Sequence, residues 1–84
     1  MSTTMNRAEC GYRRRQARFQ IRAALDAQDM TMATIARRLG VTPEAVQATV
    51  SGKNHSTRVL DALRSVGVPE KYLFDPRKMR AEVA

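Results

Sequence analysis

The run IARRLGVTPEAVQATVSGKN, Ile35 to Asn54, decides how this chain folds. Just upstream, Thr31 is a good N-cap, and Met32, Ile35, Ala36 and Leu39 follow it at helical spacing until Gly40 stops the run. This predicts a first helix of about eight or nine residues. Thr42-Pro43-Glu44 then restarts a helix: Thr caps, Pro fits the first position where no backbone donor is needed, and Glu suits the positive end of the dipole. The second helix, Pro43 to Ser51, buries Val46 and Val50 and ends near Gly52.

Two helices joined only by Gly40, Val41 and Thr42 have to cross steeply, because so short a link cannot lay them antiparallel. Ala36 is small where the second helix passes, Gly40 permits the positive φ of the turn, and Val41 and Val46 fill the angle between the helices. The spacing predicts a helix-turn-helix from about Thr31 to Ser51.

Working outward, Ser51 to Ser56 reads as a polar loop. Ser56 then caps a helix that turns Val59, Leu60 and Leu63 toward the core and stops at Gly67. Pro69 opens one more short turn with Tyr72, Leu73 and Phe74, which Asp75-Pro76 closes. On the N-terminal side, helix-favouring composition begins at about Tyr12, with Ala17, Ile21, Ala24, Leu25 and Gln28 on one face. Phe19 lies off that stripe, against the C-terminal segment or a partner. Arg13, Arg14, Arg15, Arg18 and Arg22 are expected to cover the remaining surface. The expected organisation is a flexible arm (1–11), one helical domain (12–76) and a frayed or weakly helical tail (77–84).

Eighty-four residues suffice for one domain with a modest core, and 15 Lys and Arg against 8 Asp and Glu give a net charge of +7. Such a balance favours a polyanionic partner. The bias is local: residues 1–22 hold six Arg and one Glu, whereas Asp26 and Asp29 make the next segment acidic. One cysteine, Cys10, and one histidine, His55, give neither an intrachain disulfide nor a zinc set, so no metal or other cofactor is expected. With no membrane-length apolar run and no signal-like segment, a soluble cytoplasmic chain is expected and no membrane partner. Paired acids and bases, Gly-rich phosphate loops and metal clusters are missing, which argues against an enzyme or a small-molecule substrate.

The Ile35 to Asn54 run resembles the Cro and phage-repressor family. Its continuation, Ser56-Thr57-Arg58-Val59-Leu60 through Val66-Gly67-Val68-Pro69 and Tyr72-Leu73-Phe74, is similar to the Ner-type regulators of transposable phages. The resemblance covers about residues 17–76. It implies an all-α, compact four- to five-helix lambda-repressor-like DNA-binding domain, with the helix Pro43 to Ser51 in the major groove of double-stranded DNA. Base-contact candidates are then Thr42, Pro43, Glu44, Gln47, Ala48 and Ser51. Gln47 leads, since Gln bonds adenine through two atoms, while Glu44 either accepts from cytosine or simply stabilises the first helical turn. Phosphate-contact candidates are Thr31, Thr34, Arg37, Arg38, Lys53, Asn54, Ser56, Thr57 and Arg58, with Arg13, Arg14 and Arg15 before them. Met32 departs from the phosphate-binding Gln of many relatives, which shifts anchoring onto the basic loop.

The implied function is a sequence-specific transcriptional regulator of phage or prophage origin, a repressor that occupies its operator. A homodimer spanning two half-sites is compatible with it, with Phe19, Tyr72, Leu73 and Phe74 either at the dimer contact or completing the core. Two alternatives stay open: a DNA-recruiting subunit of a packaging or transposition assembly, and a helix-turn-helix protein-interaction module.

Overall fold

Helices begin where a side chain takes up the backbone donors that a first turn leaves without partners. In the computed structural model, which describes residues 6–79, Asn6 Oδ1 accepts from the Glu9 amide at 2.7 Å and opens α1 (Arg7–Gln16). α2 (Arg18–Ala27) follows across Ala17. Thr31, Thr42 and Ser56 open α3 (Met32–Leu39), α4 (Pro43–Val50) and α5 (Thr57–Ser65), accepting from the amides of Thr34, Ala45 and Val59. A 3-10 turn (Glu70–Tyr72) and α6 (Pro76–Met79) complete the chain. The protein is all-helical, with six α-helices and no strand among the described residues.

One core draws on every part of the chain between α2 and the 3-10 turn. Ile21 and Leu25 from α2, Ile35 and Ala36 from α3, Val46 and Val50 from α4, and Val59, Leu60 and Leu63 from α5 meet Val68 and Leu73. Between α3 and α4, Gly40 adopts φ 72°, and the amides of Gly40 and Val41 return to the carbonyls of Arg37 (3.3 Å) and Ala36 (3.0 Å). This left-handed cap ends α3 and lets the chain re-enter a helix after Val41 and Thr42. Val41 is half-buried against the core, as the spacing anticipated.

The N-terminal third departs from expectation. Residues 7–11, expected in a flexible arm, form the start of α1, because Asn6 caps it and Glu9 in its first turn pairs with Arg13 at 2.8 Å. Residues 1–5 of that arm lie outside the described residues, as do 80–84 of the expected tail. The helical run expected from about Tyr12 is two helices, with Ala17 (φ −92°, ψ 7°) between them. The face that α1 buries is Cys10, Gly11 and Arg14. Gly11 meets Gly52 backbone to backbone: a Cβ on Gly11 would strike the Gly52 carbonyl, and one on Gly52 the Gly11 carbonyl. Only two glycines let α1 cross the chain this closely just beyond the end of α4.

At the other end, Asp75-Pro76 follows the short turn as expected and also opens a helix within the expected tail. Buried Asp75 accepts from the Arg77 amide at 2.9 Å, and Pro76 sits where its missing donor costs nothing, so α6 begins there. Arg64 and Arg77 reach the Asp75 carboxylate at 3.1 and 2.8 Å. Burial alone would raise the Asp75 pKa, but the Arg77 and Arg64 bonds outweigh it and hold it at about 2. Among the described residues no helix is long and apolar enough to cross a membrane.

Candidate nucleic-acid interface

α4 turns Val46, Thr49 and Val50 inward, which leaves the opposite side of the helix to solvent. Thr42, Pro43, Glu44 and Gln47 are exposed there, with Ala48 and Ser51 half-buried beside them. Thr42 Oγ1 is engaged as the cap, accepting from the Ala45 amide at 3.1 Å, and Ser51 Oγ donates to the Ala48 carbonyl at 3.3 Å. Gln47 and Glu44 therefore carry the two long uncommitted hydrogen-bonding side chains on this surface. The Gln47 amide offers donors and acceptors together, whereas Glu44 offers only acceptors.

Glu44, Gln47, Ala48 and Ser51 form one wall of an open groove of about 490 Å³. Arg15 from the end of α1, Arg18 from the start of α2, and Lys53 from the loop after α4 form the rest. Lys53 and Arg15 were expected near nucleic acid on separate grounds, and here they face a common space. Arg18 was expected on the same basic surface, without being singled out as a phosphate contact. Its guanidinium donates to the Arg15 carbonyl at 2.8 Å and lies 4.6 Å from the centre of the Phe19 ring, which fixes its direction. The three-residue spacing of Tyr12, Arg15 and Arg18 was the available signal.

Arg14 is the clear correction. Expected on the surface as a phosphate contact, it is fully buried, and its guanidinium is saturated. Nε donates to the Thr49 carbonyl at 2.6 Å, Nη1 to the carbonyls of Leu73 (2.9 Å) and Phe74 (3.2 Å), and Nη2 to the Asn54 carbonyl (2.8 Å) and His55 Nδ1 (2.7 Å). Since a guanidinium only donates, His55 Nδ1 accepts, and the neutral ring carries its proton on Nε2. The cation thus takes up a last-turn carbonyl of α4 at the negative end of its dipole. Burial lowers the His55 pKa, as do the charges of Arg14 and Arg7, against a hydrogen bond to the Arg7 backbone and the charge of Asp75.

The same hub shapes the loop that carries Lys53. Thr49 Oγ1 donates to Asn54 Oδ1, so the Asn54 carbonyl and its side-chain oxygen are both held from within. Lys53 itself projects outward.

The remaining candidates fall elsewhere. Arg13 is exposed but paired with Glu9. Thr31 and Thr34 bond each other at the start of α3, and Ser56 is a half-buried cap. Thr57 and Arg37 are exposed. Arg38 and Arg58 border a second, largely apolar groove between α3 and α5 with Leu39, Ala62 and Val66, and Arg58 donates to the Leu39 carbonyl. They do not join the groove beside α4. Of the residues considered for a dimer contact, Leu73 belongs to the core and Tyr72 packs against it, whereas Phe19 is 63% exposed.

Among the described residues no group of three His, Cys, Asp or Glu side chains is placed to hold a metal ion. Cys10 is buried, and that burial raises its pKa, which keeps the thiol protonated. Compared with family models, with curated proteins and with solved structures, the chain matches none.

Proposed function

We propose that this chain is a sequence-specific double-stranded DNA-binding protein that regulates transcription, acting as a repressor by occupying its operator. In this reading α3 and α4 are the helix-turn-helix of a lambda-repressor-like domain, and α4 enters the major groove. The observation that carries the proposal is the groove beside α4, where Gln47 is bordered by Arg15, Arg18 and Lys53. Base edges present donors and acceptors to a side chain such as Gln47, and the flanking cations match the phosphates on either side. The +7 charge adds a sequence-independent attraction of the same sign. Bacterial or phage origin, a cytoplasmic site of action and a homodimer on paired half-sites belong to the same proposal.

Selection of bound duplexes from random DNA at two salt concentrations tests it. A recovered site should bind more tightly than random duplex, and Gln47→Ala should lose about 1–3 kcal/mol on the selected site and much less on random DNA. Equal losses on both would remove Gln47 as a reader, and a failure to recover any site would reject sequence-specific binding.

A further inference from the structure

The groove beside α4 does not end at Lys53. Arg15, Ser51 and Lys53 also line a second cleft, whose other walls are Gly11, Tyr12 and Gly52. The two clefts adjoin at these three residues, with Gln47 lining the first and the exposed Tyr12 ring the second. The two shared cations come from two different elements, and both are uncommitted. Neither the Arg15 nor the Lys53 side chain has an ion pair or hydrogen bond among the described residues. Of the neighbouring arginines, Arg13 is paired with Glu9 and Arg14 is saturated by its carbonyls and His55, whereas Arg18 gives one donor to the Arg15 carbonyl and lines only the first groove.

Tyr12 adds a neutral donor. Its hydroxyl oxygen accepts from Gln16 Nε2 at 3.1 Å, which leaves the phenolic proton for another acceptor. The backbone contact of Gly11 with Gly52, and Arg14 bonded to the Thr49 and Asn54 carbonyls beneath it, hold α1 and the loop in fixed relation. Arg15 and Lys53 thereby share the second cleft with Tyr12, and no carboxylate lines that cleft, Glu44 lying in the first. Two cations and a hydroxyl donor lining one open cleft match the chemistry of a phosphodiester, which offers negative charge and acceptor oxygens.

We infer that Arg15, Lys53 and the Tyr12 hydroxyl together hold a single backbone phosphate of the DNA whose bases face Gln47. The inference rests on the DNA-binding reading above. It makes α1 part of the interface and sets the register of α4 on the duplex, because a phosphate fixed beside Ser51 determines which base edge Gln47 meets.

The test uses the full chain and a set of selected-site duplexes, each with one backbone linkage replaced by an uncharged methylphosphonate. Arg15→Gln, Lys53→Gln and Tyr12→Phe alter exposed side chains, and unchanged urea midpoints would verify their folding. At one linkage the neutral replacement should weaken the native chain and make Arg15→Gln and Lys53→Gln both silent, and the cost of Tyr12→Phe should change at that linkage and at no other. At other linkages each substitution should keep its cost. The double variant should lower the log-log salt slope by about one unit in total, as one lost phosphate contact does. If Arg15→Gln and Lys53→Gln become silent at different linkages, or the double variant lowers the slope by about two units, the shared phosphate is refuted while DNA binding stands. If the native chain binds no duplex, the underlying reading fails with it.

Discussion

A buried guanidinium is expensive to desolvate unless every donor finds an acceptor, and Arg14 meets that condition with four carbonyls and a ring nitrogen. It also holds Phe74 at φ 46°, a backbone conformation that a bulky residue seldom adopts unless its surroundings impose it. Arg14→Met should cost about 3–5 kcal/mol, because it strips a charged donor from several buried carbonyls at once. Urea unfolding measures this directly, and a loss below about 1 kcal/mol would mean that the hub is dispensable. Arg14→Lys should recover little of it, since one ammonium cannot span acceptors that a planar fork reaches. Arg13, Arg14 and Arg15 are chemically alike in the sequence, and nothing local distinguishes the one that turns inward. The choice is made by Thr49, Asn54, Leu73 and Phe74, all more than thirty positions away.

At the scale of the helices, two glycines act for different reasons. Gly40 needs φ 72°, yet a Cβ there would meet nothing within 4 Å, so Gly40→Ala should cost only the left-handed penalty of about 1–2 kcal/mol. Gly11 has an ordinary helical position, where Ala would otherwise gain about 1 kcal/mol of propensity. Its Cβ would nevertheless strike the Gly52 carbonyl, so Gly11→Ala should destabilise rather than stabilise. Urea midpoints of the two variants check this, and a stabilised Gly11→Ala would show that α1 does not cross the loop so closely. The α3, α4 and α5 starts were legible because Thr31, Thr42 and Ser56 cap from within their own neighbourhood. α1 was not: its buried face of Cys10, Gly11 and Arg14 has no apolar stripe, and its cap, Asn6, stands among other polar residues that could have served. The site followed the same division. Gln47, Ser51 and Lys53 could be placed from the cap of α4 onward, whereas the meeting of Lys53 with Arg15 and Arg18 depends on how α1 and α2 lie against it.

For the whole molecule, stability should depend on pH in two separate steps. His55 is held neutral in the fold, below its ordinary pKa of 6.5, by burial and by the charges of Arg14 and Arg7. An unfolded chain therefore binds a proton at this residue before the folded one does. Its contribution is complete above pH 6.5 and is lost as the pH falls below that value, when a proton on Nδ1 would set imidazolium against guanidinium. Asp75, held at about 2 rather than its ordinary 3.8, supplies stability that is present above 3.8 and disappears as the pH drops toward 2. Unfolding free energies across this range should show both declines in the native chain and only the second in His55→Asn. An unchanged first step in that variant would place the titrating group elsewhere.

Arg14 also joins stretches of chain that are made at very different times. Its partners at Leu73 and Phe74 lie 59 and 60 residues downstream, and the core residue Leu73 is itself among them. A ribosome making this protein would first deliver α1 through α4, when Arg14 has only its Thr49 acceptor and the core still lacks α5 and Leu73. Until Leu73 and Phe74 have left the exit tunnel, α1 cannot be fully locked in place and the core surface that Leu73 covers stays open.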